Sequence, residues 1–185
     1  KENKSYDFIK EIKDKYFNVN ILNSHRLVGE LRLIKTEEEI SRVRKAIAIT
    51  IEGVKELMKN SKEGIKEYEL EAYFDFVCKK NGVKDLAFKT IAAAGKNATV
   101  LHYVNNHSQL KHGDLILFDL GAQYKYYNAD ISRTFPVSGK FTERQKEVYN
   151  AVLRVNERVI KEMKPGISFL ELNKKAKEWI AEECI

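Results

Sequence analysis

The sequence is short of the residues that break regular structure, with 2 prolines and 9 glycines among 185 residues, which excludes collagen-like, disordered and low-complexity chains. Cysteine is equally scarce. Cys78 and Cys184 stand alone, with no CxxC pair or Cys/His cluster, so a disulfide scaffold and a zinc ribbon are both excluded and a reducing, cytoplasmic setting is expected. No apolar run approaches the ~20 residues of a spanning helix, and the opening Lys1-Glu2-Asn3-Lys4 lacks the apolar stretch of a signal peptide, so no membrane is expected as a partner. Charge of one sign is missing too. The 33 basic residues are interleaved with 27 acidic ones for a net charge of +6, and no basic block carries stacking aromatics, so nucleic acid is not expected either. What is present, 43% apolar and 32% charged residues, is a globular composition long enough for one domain or slightly more.

Along the chain, Phe8, Ile9, Ile12, Tyr16 and Phe17 have roughly helical spacing within residues 1–17, and a mixed segment, Val19 to Ile34, follows. Residues 1–27 read as the end of an N-terminal domain or a linker helix, and 28–185 as the next domain. A capping box, Thr36 with Glu39, opens a helix with Ile40, Val43, Ile47, Ile51, Val54 and Leu57 on one stripe, ending near Asn60. A second helix, with Leu70, Tyr73, Phe74 and Val77 on its face, runs from about Glu67 to Asn81-Gly82. Phe88 to Ala93, Leu115 to Ala122 and Asp130 to Val137 read as strands. Two more helices follow, opened by boxes at Thr142/Gln145 and Ser168/Glu171, with Val148, Val152, Val155 and Val159 on the first and Leu172, Ala176, Trp179 and Ile180 on the second.

The two helix pairs look like copies. Leu57 to Leu70 aligns without gaps with Val159 to Leu172, 102 positions on, and six of fourteen residues are identical, including Gly64-Ile65 against Gly166-Ile167. The fold class expected is therefore α+β, a duplicated α+β unit with its second half truncated, because strands follow only the first helix pair. Two helix pairs on one set of strands would leave apolar surface exposed.

The stretch richest in chemistry is Leu115-Ile116-Leu117-Phe118-Asp119-Leu120-Gly121-Ala122, where a carboxylate interrupts an apolar strand, and a second, Asp130, follows closely. If the intervening turn centres on Tyr124 and Lys125, Asp119 and Asp130 face each other, about 4.5 to 5.5 Å apart at Cβ, where like charges need something cationic between them. A metal pair would supply it, two-metal sites holding their ions about 3.5 to 4 Å apart. The alternative is that Asp119 pairs with Arg133 or a lysine. Oxygen ligands suit Mn²⁺ or Mg²⁺, and an added imidazole admits Co²⁺ or Zn²⁺. His102, His107 and His112 recur every five residues, so they do not share one face. His102, between Leu101 and Tyr103, is placed to reach the aspartates as a hydrogen-bonding or acid/base group, or else to be a core histidine. No serine-hydrolase elbow, Walker loop, HExxH or dinucleotide fingerprint is present. Cys78 reads as core, and Tyr124, Tyr126 and Tyr127 as hairpin packing.

Taken in order, Phe88-Lys89-Thr90-Ile91, Gly95-Lys96-Asn97-Ala98, Leu101-His102-Tyr103, Phe118 to Ala122 and Asp130 to Thr142 closely resemble the Xaa-Pro aminopeptidases and proline dipeptidases, metallopeptidases of pita-bread fold. The resemblance covers about residues 28 to 185 and implies a catalytic domain behind a smaller N-terminal one. It implies that Asp119 and Asp130 bind metal, with Asp130 bridging. It further implies that His102 contacts the scissile peptide and helps the proline nitrogen leave, and that Phe88 walls the pocket for the first substrate residue. Ser132 is added as a hydrogen-bond support to the metal ligands. The implied cofactors are two divalent ions, Mn²⁺ first, with Co²⁺ or Zn²⁺ as alternatives, and the implied chemistry is attack by ionised water on the carbonyl before proline. The expected partners are a proline-containing peptide as substrate and, for the full-length protein, a second copy in a homodimer.

The chain departs from the family pattern in one respect. The family completes its site with a histidine and two glutamates on later strands, whereas no histidine follows His112 here. The expectation is an Xaa-Pro aminopeptidase whose 185-residue piece is inactive alone. A proline dipeptidase, a methionine aminopeptidase, a metal-free creatinase-like hydrolase and a non-catalytic binding module of the same fold are the alternatives.

Overall fold

A computed structural model describes residues 4–184; Lys1, Glu2, Asn3 and Ile185, which the segments 1–17 and 28–185 include, lie outside the described residues. The chain divides into two compact units, Lys1–Ser41 and Arg42–Ile185. The first holds α1 (Lys4–Lys15), α2 (His25–Leu33) and the start of α3 (Glu37–Asn60). α2 was not expected from the sequence, and the reason is physical: it buries no residue and its N-cap, Ser24, makes no side-chain cap bond. The capping box of α3 forms in both directions, Thr36 N donating to Glu39 Oε2 at 2.7 Å and Glu39 N to Thr36 Oγ1 at 3.3 Å.

In the second unit, α3 buries Ala46, Ile49, Thr50, Gly53, Val54 and Leu57. The stripe expected through Ile47 and Ile51 is corrected, since Ile51 is 41% exposed. The cause is the close approach of α4 (Glu67–Lys80). A Cβ on Gly53 would lie 2.4 Å from Cδ2 of Phe74, so the helices meet where α3 is smallest and its face turns accordingly. Thr50 is polar yet buried because its hydroxyl donates to Ala46 O at 2.8 Å and accepts from Ala122 N at 3.0 Å. Tyr73, expected on the α4 face, is 40% exposed, and Cys78 takes a core place, its thiol pushed up to about 12 by burial and then by the charge of Asp75.

The duplication is structural. α3 and α5 (Glu143–Glu162) end at positions 102 apart, and α4 and α6 (Phe169–Glu183) begin 102 apart. Gly64 and Gly166 make the two corners with φ of 93° and 97°, a backbone that only glycine adopts without steric cost. The α5 box is complete, Gln145 N donating to Thr142 Oγ1 at 3.2 Å and Thr142 N to Gln145 Oε1 at 2.9 Å. At α6 only Glu171 N to Ser168 Oγ forms, at 3.1 Å, and the Glu171 carboxylate lies 3.6 Å from Lys175 Nζ instead.

Strands β1 (Ile91–Ala94), β2 (Leu115–Leu120) and β5 (Ile131–Pro136) form an antiparallel sheet with β2 in the middle, and β3 (Gln123–Tyr124) pairs with β4 (Tyr127–Asn128) in the hairpin between β2 and β5. β2 alternates: Ile116, Phe118 and Leu120 are buried against Leu57, Leu70, Phe74 and Val77 of α3 and α4, whereas Leu115, Leu117 and Asp119 are half-buried on the other face. Phe118 stacks on Phe135 with ring centroids 5.8 Å apart. Of the valines expected to bury on α5 only Val155 does; Val148 and Val152 are 49% and 62% exposed beside a cleft of about 500 Å³ between β5 and α5. Open apolar surface is what two helix pairs sharing one set of strands should show. No helix of the described residues is long and apolar enough to cross a membrane.

Candidate metal centre

Period-two alternation places Asp119 on the face of β2 turned away from the α3–α4 core, so its charge is compatible with an otherwise apolar strand. Its neighbours across the sheet are Ile91 on β1 and Ser132 on β5. The direct opposition of Asp119 and Asp130 expected from the sequence is corrected by this register. The hairpin turn centres on Lys125 and Tyr126, one position further on, both with positive φ of 48° and 70°, the type I′ geometry that matches strand twist even without Asn-Gly. Asp130 therefore lies just before β5, two positions along from Ser132 and on the same face.

The two carboxyls nevertheless meet. Asp130 is pushed above the ordinary carboxylate range by burial of its carboxyl, then by the negative charge of Asp119, then by a hydrogen bond with Asp119. A nearby negative charge disfavours ionisation of its neighbour, and a cation beside both carboxyls would relieve that repulsion. Ser132 Oγ donates to Asp119 Oδ1 at 3.0 Å, giving the support expected of that hydroxyl. Among the described residues neither aspartate has an ion pair. The guanidinium of Arg133 donates to Ser132 O at 2.8 Å, so its pairing with Asp119 does not occur.

Backbone crowding holds Asp130 in place. Ala129 N donates to Ala122 O at 3.0 Å, and a Cβ on Gly121 would lie 1.8 Å from Ala129 O and 3.1 Å from Ala87 Cβ. Glycine is thus required between the two aspartates for the chain segments to approach. Ala87 N in turn donates to Gly121 O at 2.8 Å. Phe88, half-buried, follows Ala87 and precedes Ile91, the cross-strand partner of Asp119, which sets it beside the end of β2 that carries the aspartate. Phe88, Lys89 and Thr90, expected within the first strand, instead lead into it.

His102 is not a core histidine. It is exposed, in the left-handed region at φ 55°, next to Leu101, which is 93% exposed; a non-glycine residue there costs about 1–2 kcal/mol. It stands in the loop after a 3₁₀ turn, Gly95–Thr99, and makes no hydrogen bond among the described residues. His107 Nδ1 lies 2.9 Å from Asn105 O, and His112 Nδ1 lies 3.8 Å from Glu63 Oε2. Among the described residues no three His, Cys, Asp or Glu side chains gather as a metal-binding group. The donor set that is present, two adjoining carboxylates without a cation, fits hard divalent ions as part of a larger shell.

One further acidic residue went unnoticed in the sequence. Glu67 is fully buried and hydrogen-bonded to the loop that carries His102; as a glutamate in the first turn of a helix it reads like an ordinary exposed one.

Comparison with known proteins gives the chain's relatives. The chain is 37% identical over 177 residues to an Xaa-Pro dipeptidase of Pyrococcus horikoshii, covering 96% of this chain and 50% of that protein. It is 40% identical over 146 residues to an Xaa-Pro aminopeptidase of Escherichia coli, covering 79% and 33%. A solved structure of a Bacillus anthracis protein provisionally described as an aminopeptidase P superposes with a TM-score of 0.94 at 49% identity, covering all of this chain and 44% of that one. The chain thus spans about half or less of the length of these relatives, and its duplicated α+β fold is theirs, truncated in the second half. The model of metallopeptidase family M24 matches residues 41–185, and on that match, which takes in both aspartates, the chain belongs to metallopeptidase family M24.

Proposed function

We propose that this chain carries the first part of the catalytic domain of a metal-dependent exopeptidase that releases the N-terminal residue from peptides with proline second. Residues 1–27 are then the end of a preceding domain and 28–185 the start of the catalytic one. The observation that carries the reading is the Asp119–Asp130 pair: two carboxyls on one face of the sheet, Asp119 tied to Ser132 Oγ at 3.0 Å, and neither with an ion pair among the described residues. Asp119 and Asp130 would contribute to holding two divalent ions, with Mn²⁺ favoured by their hard oxygens, and Ser132 would fix the orientation of Asp119. When bound, such ions supply Lewis acidity and a water acidic enough to ionise near neutral pH.

The remaining roles follow from substrate chemistry. The nitrogen of an Xaa-Pro bond is a tertiary amide without a proton, so it leaves readily only once it is protonated. His102, on an exposed loop with both ring nitrogens unengaged, holds and delivers that proton. Phe88, half-buried beside the aspartate end of β2, is the apolar wall for the substrate's first side chain.

The test is product analysis of an Xaa-Pro-Yaa peptide incubated with the full-length protein and Mn²⁺. Release of Xaa alone, abolished by Asp130→Ala, supports the reading, and cleavage that survives this substitution overturns it. An Xaa-Pro dipeptide cleaved in preference to the tripeptide would make the protein a proline dipeptidase. The 185-residue chain by itself is expected to release nothing, because its described residues bring only two carboxylates to the site.

A further inference from the structure

Glu67, the first residue of α4, is fully buried with both carboxylate oxygens doubly engaged. Oε1 accepts from Ala94 N at 2.8 Å and Asn97 Nδ2 at 2.9 Å, and Oε2 accepts from Tyr103 OH and Ser108 N, both at 2.9 Å. Ala94 closes β1, and the other three donors belong to the segment that follows, residues 95–108. Asn97 Nδ2 also reaches Tyr103 OH at 3.0 Å and Ser108 Oγ at 2.8 Å. Asn106, buried and at φ 48°, forms a second clamp: its Oδ1 accepts from Ala92 N at 3.0 Å, and its Nδ2 donates to Thr90 O at 2.9 Å and Glu71 Oε2 at 2.8 Å.

His102 sits at the exposed tip of this loop with no hydrogen bond of its own among the described residues. A left-handed non-glycine residue persists where its surroundings over-determine it. The tie nearest to it is Tyr103, whose hydroxyl ends on Glu67. We propose that Glu67 is a positioning residue for His102: four donors converging on one buried carboxylate fix the 95–108 loop and so hold the imidazole where the scissile bond is met. The proposal rests on the peptidase reading above only for the substrate that His102 meets.

Glu67→Gln tests it at nearly constant shape. An amide presents an NH₂ group where the carboxylate presented an acceptor, and in either orientation that group faces a backbone N–H, of Ala94 or of Ser108, that cannot turn away. Tyr103→Phe removes only the tie next to His102 and is the variant to use if Glu67→Gln fails to fold. In the full-length, Mn²⁺-loaded protein each is expected to lower kcat about tenfold with KM within about threefold. In a His102→Ala background each should cost less than about twofold more, because the group being positioned is gone. Equal losses in both backgrounds overturn the proposal, as does an unchanged kcat in His102→Ala itself. If the wild-type protein cleaves no Xaa-Pro peptide, the peptidase reading falls, and hydrogen exchange in the same protein decides the positioning role. Tyr103→Phe should then speed exchange of residues 99–105 at least about tenfold with α3 and β2 unchanged, and an unaltered loop overturns it.

Discussion

Asp119 faces Ser132 across the sheet, and the serine hydroxyl donates to its Oδ1 at 3.0 Å. This fixes one carboxylate oxygen of Asp119 in direction. Ser132→Ala should weaken Mn²⁺ binding by the full-length protein about tenfold, within the range seen when a bond behind a metal ligand is lost. Isothermal titration measures it, and an unchanged affinity would show that the hydroxyl only satisfies itself.

Asp130→Asn should make the metal-free protein more stable. The raised pKa means that Asp130 stabilises the fold in its protonated form: the contribution is present below the ordinary carboxylate value and is lost as pH rises through the folded-state value. Because Asp130 is largely solvent-exposed, screening holds the relief of the like-charge repulsion at neutral pH to about 0.5 kcal/mol, or roughly 1–2 °C in Tm. Calorimetry should find this gain at pH 7, its disappearance in acid, and no further gain when Mn²⁺ is added to the variant.

Gly121→Ala drives a methyl group into Ala129 O, which cannot yield without moving Asp130. A destabilisation of about 3 kcal/mol is expected in chemical denaturation, together with loss of Mn²⁺ binding. A folded variant with full affinity would mean that the aspartate pair tolerates separation of its strands.

The α5–α6 pair should loosen in acid. Glu162 is held below the ordinary glutamate range by a hydrogen bond from Lys175 and then by its charge, and Glu183 by a hydrogen bond from Arg154 and then by its charge. A depressed value means stabilisation that is present above pH 4.5 and lost as pH falls through the lowered values. Amide exchange of α6, corrected for its intrinsic pH dependence, should accelerate relative to α3 between pH 6 and pH 3, and Glu162→Gln with Glu183→Gln should abolish the difference.

What the sequence revealed and what it hid divide along physical lines. Caps at Thr36 and Thr142 and the glycine corners were legible because each is a local rule with a local signature. The register of the aspartates was not. A shift of two residues leaves every side chain on the same face, so the hydrophobic pattern cannot distinguish Asp119 opposite Asp130 from Asp119 opposite Ser132. The turn that decides it is made by Lys125 and Tyr126, neither of which announces a positive φ. The buried face of α3 was hidden because it runs through Ala46, Thr50 and Gly53, residues that a search for large apolar side chains passes over. Glu67 was hidden because burial of a charge depends on donors from distant segments, which no spacing displays.

The contact between Gly53 and Phe74 also bears on how the two halves diverged. Their counterparts 102 positions on are Val155, which is buried, and Ala176, which is half-buried. Each pair has one bulky and one small member, but the bulk belongs to opposite helices. The residues differ at both sites, and the larger member of the pair has changed helix. A graft between the halves must therefore carry both members together: alanine at 74 facing Gly53 would leave a void, and valine at 53 would strike Phe74.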